Sequence, residues 1–518
     1  MSRRPPALTD TLLDTLRARV CASTSDTYTS TEVFSGGDLA TLPASTITDV
    51  QTAYERAARA QREWAAQPVE ERLAIFHRFH TLLMRERETI ADLLQAETGK
   101  ARRDAFEELS EPALVTSYYL RTAAKLLRPK KRAGLLPGAI TVSELRAPKG
   151  VVGIISPWNY PFALSFGDLV PALLAGNGVV LKPDSQTALT PLFGADLLYR
   201  AGLPADLLQV VLGDGPAIGG AVVDTCDYIG FTGSSRTGAQ IAARAGERLV
   251  GCSLELGGKN PMIVLDDANI QLTARTAVRG CFANAGQLCL SLERIYVPDA
   301  IFDRFADAFV TEIGELRQAP GYDYGPDLGS LTSQRALKTV SEHVDDARAK
   351  GATVLTGGRP RPDLGPYFYE PTVLTDVTPD MLCHRTETFG PVVTLYPYAT
   401  EAEAVAMAND TDYGLNSSVF GRDPVRTHRV AAQLRTGTVN INDGYASAFG
   451  STDAPMGGMG ASGLGRRHGA EGLLRYTEVQ TVAAQRIDLL NPPKWMPYGP
   501  YSRYLALTLR IMKKLHLR

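Results

Sequence analysis

From residue 45 to 99, apolar side chains return every three or four positions. Ala53, Ala57 and Ala60 lead into Trp64, then Phe76, Phe79 and Leu82-Leu83 follow. That period predicts amphipathic helix, with Gly99 as its stop. A further helix is predicted over 102–127. Residues 1–45, rich in Thr and Ser, read as an extended or mixed lead-in. Residues 140–146 form a strand pattern and Pro148-Lys149-Gly150 a turn. From Val151 the texture changes to short apolar runs that alternate with helical segments. Strands are predicted at 151–155, 179–182, 208–211 and 228–231, with helices after Pro161 and over 191–201. Such alternation favours a parallel sheet with helices on both faces. Ligands of these sheets bind beyond the carboxyl ends of the strands. Asn159, Lys182 and Thr232-Gly233-Ser234 all fall at that edge. A second α/β set follows, with a strand at 261–265, a helix over 272–284 and strands at 295–297, 353–355 and 392–395. Its further helices are predicted over 302–314, 333–350, 402–409 and 426–434. Residues 479–486 read as an edge or exchanged strand.

Composition narrows the function classes. The 518 residues exceed one simple core, and 44% hydrophobic with 21% charged residues is ordinary for a globular protein. A formal net charge of −2 supplies no global field for nucleic acid, so no nucleic-acid partner is expected. The six cysteines contain no Cys-x-x-Cys and the seven histidines no His-Glu-x-x-His. No metal and no disulfide framework are therefore expected, and the chain reads as cytoplasmic. No secretory signal or transmembrane segment is expected, because the most apolar stretch, 162–181, is broken by Asp168, Pro171, Gly176 and Asn177. The last thirty residues differ: no acidic residue follows Asp488, whereas Lys494, Arg503, Arg510, Lys513, Lys514 and Arg518 are basic. With Leu505, Leu507, Leu509, Ile511, Met512 and Leu515 at helical spacing, residues 493–518 form a basic amphipathic tail. It either lies peripherally on an anionic membrane surface or packs on a neighbouring subunit. The basic run 128–132 reads as a solvated helix end.

Two residues invite a chemical reading. Cys289 sits on a loop of small and amide residues, Phe282-Ala283-Asn284-Ala285-Gly286-Gln287-Leu288-Cys289. Glu255 is a single carboxylate in the apolar, glycine-rich run 254–258. A thiol nucleophile and a nearby base are the parts of covalent catalysis. Singly, each has a plainer reading: Cys289 as a small buried hydrophobe, as Cys281 is read, Glu255 as an ion-pair partner, Asn159 as a turn former and Lys182 as a snorkelling side chain. The turn Phe231-Thr232-Gly233-Ser234-Ser235-Arg236-Thr237-Gly238 is not Gly-x-Gly-x-x-Gly, yet it ends a strand and opens a helix whose N-terminus suits phosphate oxygens.

Taken together the motifs resemble the NAD(P)-dependent aldehyde dehydrogenase superfamily. The resemblance is carried by Pro157-Trp158-Asn159, Phe231-Thr232-Gly233-Ser234, Glu255-Leu256-Gly257-Gly258-Lys259, Gly286-Gln287-x-Cys289, Glu387-Thr388-Phe389-Gly390-Pro391 and Ser462-Gly463-x-Gly465-Arg466, in the family's order. It covers roughly residues 30–485 and is nearest to a bacterial succinate-semialdehyde dehydrogenase subgroup. The resemblance implies an α/β fold with a Rossmann-type cofactor domain (1–125 and 148–257), an α/β catalytic domain (258–455) and a small β oligomerisation element (126–147 and 456–492). It implies a homodimer or homotetramer. It makes Cys289 the nucleophile, Asn159 an oxyanion donor and Glu255 the base that activates water. Cofactor contacts are implied for Pro157, Trp158, Lys182, Ser185, Phe231, Thr232, Gly233, Ser234, Gly238, Leu256, Gly257, Glu387 and Phe389. Family members that prefer NAD commonly carry glutamate three residues after the lysine. Ser185 stands there, which implies NADP, with NAD remaining possible; Asp184 beside it points either way. The better-known succinate-semialdehyde branch places arginines at two positions that are Ala283 and Gly167 here. Either another cation serves instead, with Arg466 or Arg467 as candidates, or the aldehyde is not a dicarboxylic semialdehyde but an aromatic or longer aliphatic one. The rival classes, a coenzyme A-acylating enzyme and a non-catalytic member, tend to lack the glutamate or the cysteine, and both are present.

Overall fold

The computed structural model describes residues 4–134, 140–488, 491–514 and 516. Leu515 and Arg518 of the amphipathic tail lie outside the described residues. The chain forms two compact units, Met1–Leu126 with Pro148–Thr477, and Leu127–Ala147 with Glu478–Arg518. Residues 456–477, expected in the bridging element, belong to the larger unit.

In the larger unit the N-terminal lead-in is a short helix, Asp10–Arg17, and an antiparallel hairpin of Thr27–Glu32 with Gly37–Pro43. The helical stretch 45–99 is three helices, Ile47–Ala66, Val69–Arg85 and Arg87–Thr98. Thr46 and Asp49 cap the first reciprocally, Pro68 interrupts the run, and Gly99 (φ +76°) ends the third in the left-handed region. Helix Arg102–Leu127 falls where the periodicity predicts it.

The first sheet has six strands in the order Gly463–Leu464, Gly251–Glu255, Tyr228–Thr232, Val151–Ile155, Gly178–Lys182, Leu208–Val210. All pair in parallel except the two-residue edge strand Gly463–Leu464. Chain order reverses direction between Val151–Ile155 and Tyr228–Thr232, so the crevice beyond those two strands is a topological switch point. The second sheet has seven strands, in the order Thr353–Thr356, Thr372–Thr375, Val392–Tyr398, Leu292–Pro298, Asn260–Val264, Asn416–Phe420, Thr438–Ile441. Its core packs Met262, Ile263, Val264, Ile295 and Leu395 against Phe282, Phe305 and Phe309 from the helices. Fully buried Val and Ile on both faces are what a covered parallel sheet requires.

The smaller unit is a three-stranded sheet, Thr477–Gln485, Ile140–Pro148 and Lys130–Arg132, followed by helix Tyr498–Lys514. Within the basic cluster, Arg132 pairs with Glu144. Val479 and Val482 are exposed on their strand, as are Leu507, Leu509 and Ile511 on the helix, whereas Tyr501 and Met512 are buried.

Candidate active site

The Cys289 loop begins where a helix fails. Periodicity carries the helix to Asn284, but helix Ile270–Phe282 stops two residues earlier. Asn284 (φ +50°), Ala285 (φ +54°) and Gly286 (φ +72°) then run through the left-handed region, which helix spacing cannot foretell. A Cβ on Gly286 would lie 2.1 Å from the Gly390 carbonyl oxygen, so glycine is needed for space as well as for φ. Two side chains hold the turn through three hydrogen bonds. Asp104 accepts the Asn284 N–H (3.1 Å), Gln287 donates to the Asn284 carbonyl (3.1 Å), and Gln287 Oε1 accepts the Thr332 N–H (2.9 Å).

Asn159 faces this loop from the turn before helix Pro161–Leu174 and is buried. Its amide donates one N–H to the Gln287 carbonyl at 3.0 Å, which leaves the second free to meet a substrate oxygen. Its own carbonyl accepts from Lys100 Nζ (2.8 Å) and Asn284 Nδ2 (3.2 Å). Lys100 is fully buried and paired with buried Glu108, whose carboxylate also accepts the Phe162 N–H (2.8 Å) at the helix start. No sequence signal marks this ion pair, because Lys100 and Glu108 meet only through the packing of the turn after Gly99 against helix Arg102–Leu127.

Glu255 ends the strand Gly251–Glu255 and is buried, with Oε1 lacking a hydrogen-bond partner among the described residues. Burial pushes its carboxyl up to about 7, against the pull of Arg467 and then Arg475. Those two arginines converge on buried Asp168: Arg467 donates to Asp168 Oδ2 at 2.7 Å and to Thr232 Oγ1 at 3.1 Å, and Arg475 pairs with the other oxygen. Burial alone would raise Asp168, but the two guanidinium groups outweigh it and hold it below the ordinary carboxylate range. Arg467 is thus occupied within the protein. Cys289 is half-buried, and burial pushes its thiol up to about 12, with the carboxylates of Glu255 and Glu387 adding to the effect. In the resting site the sulfur is therefore a protonated thiol. Cys281 is buried in the second core, as its plainer reading has it.

A small cavity of about 180 Å³ opens over Cys289, lined by Asn159, Leu256, Gly257, Glu387 and Phe389 among others. Pro157, Trp158, Thr232, Gly233 and Ser234 also line it, and all five line a second cavity of about 1020 Å³ at the switch point as well. Lys182, Ser185 and Phe231 complete the predicted set in the larger cavity. Glu255 and Gly238 are absent from both linings. Gly238 lies in the first turn of helix Ser235–Glu247, where a Cβ would meet Leu256 at 2.4 Å. Arg236 and Arg335 also line the large cavity, and Arg335, far along the chain on helix Gln334–Ala349, gave no sequence signal.

These residues suit a dinucleotide. Lys182 Nζ, almost fully buried, donates to the Pro183 carbonyl (3.2 Å) and keeps donors for a ribose or phosphate oxygen. Ser234 caps helix Ser235–Glu247, whose first N–H groups face the same space. Ser185 donates to the Gly213 carbonyl at 3.0 Å, and burial raises the neighbouring Asp184 carboxyl. Glu387 accepts the Gly258 N–H at 2.7 Å, and a Cβ on Gly257 would collide with its other oxygen at 2.4 Å. Phe389 is held at φ +52° by its N–H bond to Glu293 (3.0 Å) and meets Trp158 edge-on, centroids 5.5 Å apart. Among the described residues no cluster of three or more His, Cys, Asp or Glu could hold a metal, and no helix is long and apolar enough to cross a membrane.

Comparison with known proteins agrees with this geometry. Residues 20–482 match the model of the aldehyde dehydrogenase family. A protein of Mycolicibacterium smegmatis, provisionally named succinate-semialdehyde dehydrogenase (NADP+), is 54% identical over 484 residues, 93% of this chain and 94% of its own. Among solved structures, an NADP-dependent enzyme of E. coli superposes with TM-score 0.86 at 34% identity, covering 90% of this chain and 96% of its own. Betaine aldehyde dehydrogenase of Staphylococcus aureus in complex with NAD+ gives 0.88 at 30%, covering 94% and 99%. The chain belongs to the aldehyde dehydrogenase family.

Proposed function

We propose that the protein oxidises an aldehyde to a carboxylic acid through a thioester on Cys289, with NADP preferred and NAD accepted, and that the aldehyde is succinate semialdehyde. One observation carries the chemistry: Cys289, the free N–H of Asn159 and the carboxylate of Glu387 share one small cavity, with the base Glu255 close enough to raise the thiol. The Cys289 thiol gives its proton to the Glu255 carboxylate, which releases it to solvent, and the thiolate bonds to the aldehyde carbon as the carbonyl electron pair moves onto oxygen. The resulting oxyanion is held by the Asn159 amide and the Cys289 backbone N–H, donors worth about 3–4 kcal/mol each when preorganised. A nicotinamide cofactor bound in the larger cavity supplies the hydride acceptor. Glu255, with a pKa of about 7, takes a proton from water, which then attacks the thioester and releases the acid.

Substrate and cofactor rest on two supports: the 54% identity to the mycobacterial relative and Ser185 where a glutamate would repel a 2′-phosphate. The apolar wall around Cys289, which includes Tyr160, Leu164, Leu288, Leu290 and Tyr445, favours a second reading in which aromatic or longer aliphatic aldehydes are the substrates. The exposed Val479 and Val482 support a homodimer or homotetramer; with six scattered free cysteines the enzyme fits the cytoplasm. The test is kcat/KM for succinate semialdehyde, benzaldehyde and decanal with NADP and with NAD, in the absence of coenzyme A. Succinate semialdehyde with NADP should lead. Activity that appears only with coenzyme A would replace hydrolysis by acyl transfer.

A further inference from the structure

The two positions that would carry carboxylate-binding arginines are Ala283 and Gly167, and neither sequence candidate takes their place. Arg466 donates to the carbonyls of Gly458 (3.1 Å) and Gly465 (2.6 Å), and Arg467 is held by Asp168. Another cation stands close to Ala283. The Ala283 N–H donates to the Arg279 carbonyl, so Arg279 lies one helical turn before Ala283 on the same face. Its guanidinium contacts Asp104 at 3.3 Å and pairs with Glu107. Glu107 in turn accepts the Tyr445 hydroxyl at 2.7 Å. Tyr445 packs with Tyr160 in the apolar cluster against which Cys289 rests. Asp104 is buried and fixed, whereas Glu107 and Arg279 keep 23% and 37% of their side chains exposed. Glu107 can therefore swing outward while Arg279 stays anchored.

A second observation points to a ligand here. The Tyr160 hydroxyl is buried with no hydrogen-bond partner among the described residues. Tyr445, Asp104 and Cys289 all lie close enough to bear on its charge. A buried hydroxyl without an acceptor is costly, and an oxygen of a bound substrate supplies one. Tyr160 and Tyr445 thus share the apolar wall beside Cys289, and Glu107 links the Tyr445 hydroxyl to the partly exposed Arg279.

We propose that Arg279 and Tyr445 bind the distal carboxylate of a short dicarboxylic semialdehyde, and that Glu107 occupies those two donors until the substrate displaces it. The inference rests on the reading of succinate semialdehyde as substrate and names the residues that select it. Since Glu107 competes with the substrate carboxylate, removing either member of the pair has opposite consequences.

The readout is the ratio of kcat/KM for succinate semialdehyde to that for butanal, an aldehyde of equal length without the carboxylate. Arg279→Gln should lower that ratio about 10- to 100-fold, the scale of one lost charge-assisted hydrogen bond, chiefly through KM, and Arg279→Lys should restore part of it. Glu107→Gln should raise the ratio, which a merely structural role in supporting the loop would not do. An unchanged ratio in Arg279→Gln, or a fall in Glu107→Gln, overturns the clamp. If Arg279→Gln does not fold, the sign of the Glu107→Gln effect decides alone. A wild-type enzyme that prefers succinate semialdehyde while Arg279→Gln keeps the ratio removes the clamp only. A wild type that takes butanal equally well removes the substrate reading, and the clamp with it.

Discussion

Replacing Arg467 by glutamine tests how Glu255, the proposed base, is tuned. Glu255 stands at about 7 because burial raises it and Arg467, ahead of Arg475, pulls it back. Loss of an opposite charge a few ångströms away moves a carboxyl by about 1–3 units. The substitution also leaves Asp168 with one cation fewer, which acts on Glu255 in the same direction, while Arg475 remains. We take the lower bound, a rise to about 8. The base works deprotonated, so the change removes activity on the acid side and spares the alkaline side. At pH 7.5 the ionised fraction falls from about 0.76 to about 0.24, roughly threefold; at pH 6 the loss is about ninefold, and by pH 9 it nearly disappears. The assay is the pH dependence of kcat under conditions where thioester hydrolysis limits turnover, with a thermal melt to confirm folding. Breaking a buried pair costs about 3–5 kcal/mol when one partner is lost, so a lowered Tm is expected as well. A folded Arg467→Gln enzyme whose acid limb does not move would refute the electrostatic argument.

Three further outcomes follow from the geometry. Asn159→Ala should lower kcat about 10²- to 10³-fold, the scale for one oxyanion donor, with Cys289 still open to a thiol reagent. Ser185→Glu should shift the NADP to NAD ratio of kcat/KM towards NAD by about tenfold or more, the equivalent of roughly 1.4 kcal/mol of like-charge repulsion; an unchanged ratio would remove Ser185 from cofactor choice. Gly286→Ala, at φ +72° and with its Cβ 2.1 Å from the Gly390 carbonyl oxygen, should destabilise the nucleophile loop. The expected cost is about 1–3 kcal/mol, read as a drop in Tm together with altered labelling of Cys289.

The sequence made the parallel-sheet architecture legible because buried Val-Ile strands alternate with helices, and the helix over 102–127 was marked by its period alone. The residues around the cavities were legible as motifs: Asn159, Lys182 and Thr232-Gly233-Ser234 fall at or just beyond strand ends, and Cys289 on the turn after helix Ile270–Phe282, where local sequence and site coincide. What the sequence hid depends on tertiary approach or on backbone conformation. Lys100 and Glu108, Arg467 and Asp168, and Arg279 and Glu107 pair through space across 8, 299 and 172 residues (108 − 100, 467 − 168 and 279 − 107), and no local spacing marks any of the three pairs. Helix periodicity overran the loop at 283–286 because apolar spacing carries no information on positive φ at Asn284 and Ala285. Arg466 and Arg467 were considered for the carboxylate because they are basic and close to a motif; only the geometry shows that their guanidinium groups are already engaged.

The central claim is a covalent acyl intermediate on Cys289 that Glu255 is needed to resolve. Intact-protein and peptide mass spectrometry of Glu255→Gln mixed with succinate semialdehyde and NADP tests it directly. The account predicts a burst of NADPH equal to the enzyme present, followed by arrest, with the mass of one succinyl group on the peptide that contains Cys289. Continued turnover without an adduct, or an adduct on another residue, would contradict it.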